Sequence, residues 1–269
     1  MVIDTLLEPD SNAGFMMEGK MTSEYLIHPI PLMSVSTDMP KLTHLQNYGQ
    51  KVDLTVYVWY IEGGSKKVCV DAGPNAEILA ERGFPGAKTI QSLEEGLGKW
   101  GVRPDDIDIV ILTHLHHDHI ALAPKFQNAT FIVQKVELEE APKWNEFPLF
   151  KGSYPEDLIG AINNMETVEG DTNIMDGIDV LLTAGHTTGT QSVSVETGKG
   201  KAIIYGACSC LANFRPDVAL IKRGMTVIPP AIHLDLVETY KSQARVNEMA
   251  DIIIPIHEPS FINVDTIPS

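Results

Sequence analysis

The sequence of 269 residues has few cysteines, fewer basic than acidic residues and no long apolar segment. Its three cysteines exclude a scaffold held by several disulfides and are typical of a protein from a reducing compartment. No stretch approaches the roughly 20 apolar residues that a membrane-spanning helix needs. With 20 basic against 36 acidic residues the formal net charge is −16, which disfavours nucleic acid and anionic membranes as partners.

The sequence also lacks a secretion signal and a linker rich in Ser or Gly. Met1 is followed by Val2, Ile3 and Asp4, whereas a signal peptide has a basic start and a continuous apolar run. Hydrophobic residues make up 43% and charged residues 21%, which is close to the globular average. We therefore expect a soluble, cytoplasmic protein in which residues 1–269 fold as a single domain.

Segments rich in β-branched and aromatic residues predict strands, and helical patterns lie between them. The predicted strands are residues 53–61, 67–71, 107–112, 129–133, 178–183, 192–196, 202–205 and 251–256. The predicted helices are 92–100, 134–140 and 235–250. Residues 144–177 have weak periodicity, so we predict an irregular cap there with one helix at 155–165. This order predicts an α/β fold in which two packed sheets have helices outside them.

Residues 113–119 carry the most informative chemical pattern. His114, His116, Asp118 and His119 directly follow the predicted buried strand 107–112. A strand end followed by a tight loop turns alternate side chains toward one point, and neutral imidazole and carboxylate are good zinc ligands. A solvated His-rich loop is the alternative, but five of the residues 113–119 are His or Asp. The pattern therefore predicts a metal site.

This pattern resembles the His-x-His-x-Asp-His motif of the metallo-β-lactamase superfamily. Further features occur in the family's order, so the resemblance extends from about residue 53 to residue 259. Asp71 matches the Asp of its Asp-x-Gly turn, which supports the metal loop. His186 lies in a Gly-His-Thr element, and His257 follows the last predicted strand. The resemblance implies an αββα four-layer sandwich, in which two mixed β-sheets are flanked by helices.

Carried over position by position, the resemblance implies two metal sites. The first site consists of His114, His116 and His186, and the second of Asp118, His119 and His257. Asp118 is also the expected catalytic residue, because a carboxylate at the metals can move protons. Two zinc ions per chain are implied, although iron and manganese accept the same ligand types.

The sequence departs from the family where an Asp usually bridges the two metals. That Asp ends the strand after the Gly-His-Thr element, but here strand 202–205 is followed by Gly206, Ala207 and Cys208. The turn resembles that of zinc β-lactamases with a Cys ligand, so we expect Cys208 to bind the second metal. The alternative is that Cys208 is a small buried apolar residue. Cys210 is a weaker ligand candidate, and Cys69 is expected in the core.

Other residues indicate which branch of the superfamily the chain resembles. The oxygen-reducing diiron branch has Glu at the position of His116, and nucleases need a basic face. The β-lactamases with a Cys ligand usually have Lys three residues later, where this chain has Leu211. The length and the predicted cap fit the N-acyl-homoserine lactonases. Their usual Tyr near the substrate carbonyl has no match at Ser209 or Cys210.

The resemblance therefore implies a hydrolase that uses metal-activated water to open a small cyclic ester or, as second choice, a cyclic amide. A β-lactamase-like or thioesterase activity is one alternative. A metal-binding relative without catalysis is the other, because the bridging Asp is missing. The expected partner is a small-molecule substrate. Four methionines near the N-terminus leave open a homodimer surface, a pocket rim or ordinary packing; they are Met16, Met17, Met33 and Met39.

Overall fold

A seven-stranded sheet forms one half of the fold in the computed structural model, which describes residues 24–81 and 86–269. Its strands are β1 (Leu26–Asp38), β2 (Lys51–Glu62), β3 (Val68–Val70), β4 (Lys88–Thr89), β5 (Ile109–Ile111), β6 (Thr130–Gln134) and β7 (Met165–Val168). They lie in the order β4-β1-β2-β3-β5-β6-β7. Strands β3, β5, β6 and β7 pair in parallel, whereas β1 and β2 pair antiparallel, so the sheet is mixed.

A five-stranded sheet forms the other half. Its strands are β8 (Thr172–Met175), β9 (Ile178–Leu182), β10 (Gln191–Thr197), β11 (Gly200–Tyr205) and β12 (Ile252–Pro255). They lie in the order β12-β11-β10-β9-β8. The β11–β12 pair is parallel and the other pairs are antiparallel, so this sheet is mixed as well.

Helices connect the strands. The α-helices are α1 (Ala76–Glu81), α2 (Leu93–Gly98), α3 (His117–Ile120), α4 (Lys135–Glu146), α5 (Glu156–Gly160), α6 (Val218–Lys222) and α7 (Leu236–Met249). Short 3-10 helices lie at Met39–Lys41, Pro104–Asp106, Ala123–Lys125, Leu211–Phe214 and Pro259–Asn263. No helix of the described ranges is both long and apolar enough to cross a bilayer.

Alternation along the strands divides the apolar side chains between three layers of core. Trp59 of β2 and Ile204 of β11 belong to the cluster between the two sheets. Their neighbours Tyr60 and Ile203 point the other way, into clusters on the outer faces of the two sheets. The outer cluster of the second sheet includes Val246 of α7. Side chains of successive strand residues point to opposite faces, so these clusters follow from the sequence alternation. The predicted αββα arrangement is confirmed.

The predicted strands and the three main predicted helices are present. Ser92 caps α2: its Oγ accepts the Glu95 N–H at 3.2 Å, and Glu95 Oε2 accepts the Ser92 N–H at 2.8 Å. The sequence did not predict β1, the strand that pairs with β2 over its whole length. Pro29 and Pro31 lie within β1, and proline is a poor strand residue, so they hid the strand in the sequence.

The prediction of an irregular cap over residues 144–177 is wrong for its last third. Strands β7 and β8 lie there, one at the edge of each sheet. Each has four residues, none of them buried, so backbone pairing rather than apolar alternation defines it. The predicted helix 155–165 is also too long, because α5 ends at Gly160. Residues 147–164 remain an irregular connection with one short helix.

The four methionines are partly accounted for. Met33 is 1% exposed and packs with Val56 and Leu79, and Met39 packs beside Leu42. Both therefore contribute to ordinary packing. Met16 and Met17 lie outside the described residues.

Candidate metal centre

The predicted site residues come from the ends of strands and meet at one place. Residues 113–119 follow β5, and Asp71 follows the neighbouring parallel strand β3. His257 follows β12, and His186 lies in the connection between β9 and β10. The carboxyl ends of parallel strands lie at the same edge of a sheet, which is where loops commonly build ligand sites.

The six predicted His and Asp ligands form two groups of three. The potential ligand atoms within each group lie within 4.8 Å of one another. The first triad is His114, His116 and His186, and the second triad is Asp118, His119 and His257. The two triads are adjacent, since the ring centroids of His114 and His119 are 4.1 Å apart.

Nitrogen and oxygen atoms converge inside each triad. In the first, His114 Nε2 and His186 Nε2 are 3.2 Å apart. In the second, Asp118 Oδ2 lies 3.4 Å from His119 Nε2 and 3.9 Å from His257 Nε2. Two nitrogens bound to one tetrahedral zinc at about 2.0–2.1 Å would be about 3.3 Å apart. The residues therefore fit a metal ion in their spacing as well as in their chemistry.

Backbone carbonyls orient one imidazole of each triad. His186 Nδ1 lies 2.7 Å from the Ile232 carbonyl, and His257 Nδ1 lies 3.1 Å from the Thr55 carbonyl. A ring nitrogen that donates to a carbonyl fixes the tautomer and leaves the other nitrogen free to accept a metal. In both residues Nε2 is therefore the available ligand atom.

Asp71 orients the second triad and the start of the metal loop. It is fully buried, and its Oδ2 lies 2.6 Å from His119 Nδ1. Its Oδ1 accepts the Thr113 N–H at 2.7 Å, and the Thr113 hydroxyl is 3.0 Å from both carboxylate oxygens. The Thr113 hydroxyl is also 3.0 Å from His114 Nδ1. The role expected for Asp71 matches these contacts.

The loop that carries His186 requires glycine at position 185, directly before the histidine. Gly185 has a φ of +129°, and a Cβ there would lie 2.3 Å from the Thr239 backbone nitrogen at the start of α7. The Gly185 carbonyl accepts the N–H groups of Leu234 and Asp235, at 2.8 and 3.0 Å. Close packing against α7 therefore positions His186.

Burial keeps most of the imidazoles neutral. It lowers the pKa of His114 and His116 well below the usual value, and neighbouring imidazoles lower it further. Burial also lowers the pKa of His186 and of His257 to about 4. Neutral imidazole is the form that binds a metal, so these four residues are ready to act as ligands at neutral pH.

Asp118 and His119 differ from these four residues, because the pKa of each is shifted in favour of its charged form. Burial alone would lower the pKa of His119, but the carboxylates of Asp118 and Asp71 raise it to about 10. Burial alone would raise the pKa of Asp118, but His119, His117 and His257 hold it well below its usual value. The second triad therefore contains an ion pair between buried His119 and partly exposed Asp118 in place of neutral ligands only.

Both triads open on one cavity of about 510 Å³. Its polar floor consists of the six triad residues with His117, Ser153 and Cys208. Its walls are mostly apolar and come from β1, β2, α1 and two loops; the apolar residues are Val35, Pro40, Leu42, Leu54, Val56, Leu79, Ala231 and Ile232. Lys41 also lines the cavity. An apolar cavity with convergent polar groups is the usual form of a small-molecule site.

The cap aromatics contribute little to this cavity. Trp144, Phe147 and Phe150 pack on one another, with ring centroids 5.9–6.2 Å apart. Trp144 Nε1 donates to Thr188 Oγ1 at 2.9 Å, which anchors the cap near the His186 loop. Tyr154 is 1% exposed and packs edge-on against His116 at 4.7 Å. These residues therefore anchor the cap, and the apolar wall comes from residues 35–79 together with Ala231 and Ile232.

Cys208 lines the same cavity but belongs to neither triad. It is 7% exposed and packs with Leu42 and Cys210. Burial and the nearby Asp118 raise the pKa of its thiol. Its role as a ligand stays a prediction. Cys69 is fully buried within β3, as expected for a core residue.

Sequence reasoning missed two parts of the site. The first is the cavity wall from β1 and the turn after it, because β1 was not predicted. The second is Glu137 of α4, which is 1% exposed and contacts both loops of the first triad. Glu139 and Glu140 are close by in the same helix, so no feature of the sequence distinguishes Glu137 from them.

Comparison with known proteins agrees with this geometry. The family model of the metallo-beta-lactamase superfamily matches residues 52–249. The chain belongs to this superfamily. An N-acyl homoserine lactonase from Bacillus sp is 30% identical over 183 residues, which cover 63% of this chain and 70% of the relative.

Solved structures show the same fold. One is an N-acyl homoserine lactone hydrolase with its product N-hexanoyl-L-homoserine at the catalytic metal centre. It is 25% identical with a TM-score of 0.68, and the match covers 89% of this chain and 95% of that one. A dizinc quorum-quenching lactonase is 18% identical with a TM-score of 0.65, over 88% and 89% of the two chains. This chain is therefore a metallo-hydrolase of the superfamily, related to the lactonases.

Proposed function

We propose that this chain hydrolyses small cyclic esters, with cyclic amides as the next substrate class, using two zinc ions held by the two triads. The observation that carries the proposal is that both triads open on one largely apolar cavity of about 510 Å³. The kinship with N-acyl homoserine lactonases supports a lactone as the substrate. Iron and manganese are the alternative metals, because imidazole and carboxylate bind them as well.

The proposed reaction assigns roles to the triad residues that line the cavity. Zinc bound there would polarise the ring carbonyl and acidify a water. The five triad histidines would hold the ions, with Nε2 available on His114, His119, His186 and His257. Asp118 would bind through Oδ2, which faces His119 and His257. Its Oδ1 lies 3.8 Å from His117 Nδ1, and the carboxylate would take the proton that the attacking water loses and pass it to the leaving alkoxide.

The cavity walls favour a ring that bears an apolar substituent. Leu54 and Val56 of β2 and Leu79 of α1 are among the apolar residues that line the cavity. Burying an alkyl chain against them would contribute about 0.8 kcal/mol per CH₂. The related hydrolase binds a product with a hexanoyl chain at its metal centre, which supports a substrate with an apolar substituent.

We also propose that Cys208 binds the second metal through its thiolate. It would take the position at which the family usually has the bridging Asp. Its position on the cavity floor next to Asp118 supports this role. A thiol that binds zinc loses its proton and becomes a thiolate, so the metal would overcome the raised pKa of the buried Cys208 thiol.

The proposal is tested with a substrate panel. Lactones with acyl chains of increasing length, matched lactams and thioesters are supplied to protein with measured metal content. We expect lactone hydrolysis that stops after chelation, returns with zinc and becomes more efficient with chain length. Turnover of thioesters or lactams without turnover of lactones would contradict the proposal.

A second candidate is a substrate with a free carboxylate, as in a β-lactamase-like or thioesterase reaction. The observation that favours it is Lys41, which lines the cavity and can bind an anionic group. Lys41→Ala would then raise KM for carboxylate-bearing substrates and leave KM for neutral lactones unchanged. The alternative of a non-catalytic relative loses support, since the relatives are hydrolases.

Three further predictions concern the whole chain. We propose one domain over residues 1–269 and a cytoplasmic location, and a homodimer is the alternative to a monomer. Limited proteolysis checks the first, cell fractionation the second, and sedimentation equilibrium the third.

A further inference from the structure

Glu137 is a buried carboxylate that none of the metal motifs includes. It lies in the first turn of α4 and is 1% exposed. Its Oε1 accepts the Leu115 N–H at 3.0 Å. Its Oε2 accepts the Thr187 hydroxyl at 2.7 Å and the Gly189 N–H at 2.9 Å. Three donors and no acceptor suit an ionised carboxylate.

These three donors belong to the two loops that carry the first triad. Leu115 stands between His114 and His116 in the sequence. Thr187 directly follows His186, and Gly189 is three residues after it. One side chain therefore connects both loops through hydrogen bonds to a charged group, which are stronger than bonds between neutral groups.

Helix α4 and the loop that carries His186 are closely packed at this connection. A Cβ on Gly189 would lie 2.5 Å from Glu137 Cβ and 2.6 Å from the Glu137 backbone nitrogen. The Thr187 hydroxyl is also 2.6 Å from Thr190 Oγ1, a contact within the loop that follows His186. Such close contacts fix the distance between α4 and the His186 loop.

We propose that Glu137 is the positioning residue of the first triad, as Asp71 is that of the second. It holds the loops of His114, His116 and His186 at the spacing that a metal ion requires. The inference rests on the proposed metal-dependent function, but it concerns metal binding and not the substrate. Outer carboxylates of this kind typically change metal affinity by about 10–100-fold when they are removed.

Charge supports the same assignment. The first triad consists of neutral imidazoles, so a divalent ion there would bring two uncompensated positive charges into a buried site. Burial raises the pKa of Glu137, but the three hydrogen bonds that it accepts favour the ionised form, which would place a negative charge behind the backbone that carries this triad. With Asp71 and Asp118, three carboxylates would then partly balance two divalent ions.

The test is a cobalt titration of chelator-treated protein, followed by visible absorption. Glu137→Gln keeps the shape but turns one acceptor oxygen into an NH₂ group, which leaves Leu115 N–H or Gly189 N–H without an acceptor. We expect this variant to bind one equivalent of Co²⁺ about 10–100-fold more weakly and the other as the wild type does. Asp71→Asn should weaken the other equivalent, with loss of a different absorption band. Glu139→Gln is the matched control, since Glu139 is exposed on the same helix.

Two outcomes would overturn the proposal. One is wild-type binding of both equivalents by Glu137→Gln; the other is loss of the same band in Glu137→Gln and Asp71→Asn. If Glu137→Gln fails to fold, Thr187→Val removes one donor and should give the same selective loss, which Thr187→Ser should restore. Equal weakening of both equivalents by Thr187→Val would also overturn it. No lactone is used, so a failure of the proposed hydrolysis leaves this result decisive.

Discussion

The two triads lie side by side and are built in different ways. The first triad has three imidazoles, all with a lowered pKa, on two loops that Glu137 connects. The second has a carboxylate and an imidazole that form an ion pair, supported by Asp71. The first is therefore ready to bind a metal at neutral pH, whereas the second must first lose a proton.

This difference indicates that the two sites fill in order. A site made of neutral ligands binds a cation without releasing protons, whereas a protonated imidazole competes with the metal. We expect the first triad to bind the tighter ion and the second triad to bind the ion that exchanges. Asp118, the proposed catalytic residue, belongs to the second triad, so activity should follow the occupancy of the weaker site.

The largest expected effect comes from removing one imidazole of each triad. Because a metal contributes several kcal/mol to the transition state, His186→Ala and His257→Ala should each lower kcat/KM by about 10²–10³-fold. His186→Ala should lower the total metal content more, since the first triad is the tighter site. Metal analysis and lactone kinetics on the two variants provide the measurement. Equal metal loss in both would contradict the order of filling.

The next effect is a pH dependence that only the second triad should show. In stripped protein His119 stays protonated below a pKa of about 10, which Asp118 and Asp71 raise against the effect of burial. Metal binding must displace this proton, so its affinity there should rise about tenfold per pH unit from 7 to 9. The lowered pKa of His114, His116 and His186 predicts no such rise in the first triad.

Zinc competition titrations at several pH values test this difference. Calorimetry in buffers of different ionisation enthalpy should find about one proton released by the weaker equivalent and none by the tighter one. Asp71→Asn should flatten the slope, because it removes one of the charges that raise the pKa of His119. A parallel rise of both affinities with pH would contradict the assignment.

A smaller effect is expected when Gly185→Ala adds a methyl group beside the first triad. Gly185→Ala places a Cβ 2.3 Å from the Thr239 nitrogen at a φ of +129°. We expect a loss of about 2–3 kcal/mol in the free energy of unfolding, with weaker binding at the first triad only. Gly170→Ala is the control, because its φ is +69° but a Cβ there meets nothing within 4 Å. Denaturant unfolding and metal titration of both variants provide the comparison.

Much of the fold and the grouping of the site residues could be predicted from the sequence, for a physical reason. Buried strands show apolar runs or alternation, and four potential ligands stand within residues 114–119. His186 and His257 are isolated in the sequence, so only the family's order of motifs pointed to them. The structure brings all six residues into two groups, while their role as ligands stays a prediction.

The parts that the sequence did not predict depend on contacts with distant residues. Strand β1 contains two prolines, and its assignment rests on pairing with β2. Strands β7 and β8 have four residues each and exist through their neighbours. Glu137 acts through Leu115 and Thr187, 22 and 50 residues away. Local composition carries no information about such partners.

Cys208 has features of both a buried core residue and a metal ligand. It packs among apolar residues and also lines the cavity near Asp118, and both roles require burial. If it binds metal, Co²⁺ protein should show a thiolate charge-transfer band that Cys208→Ala lacks, with weaker binding of the weaker equivalent only. Cys208→Asp would supply the carboxylate usual at this position and should restore that affinity without the band. A Cys208→Ala variant that retains the band would remove Cys208 from the site, and the second triad would then bind its ion with Asp118, His119 and His257 alone.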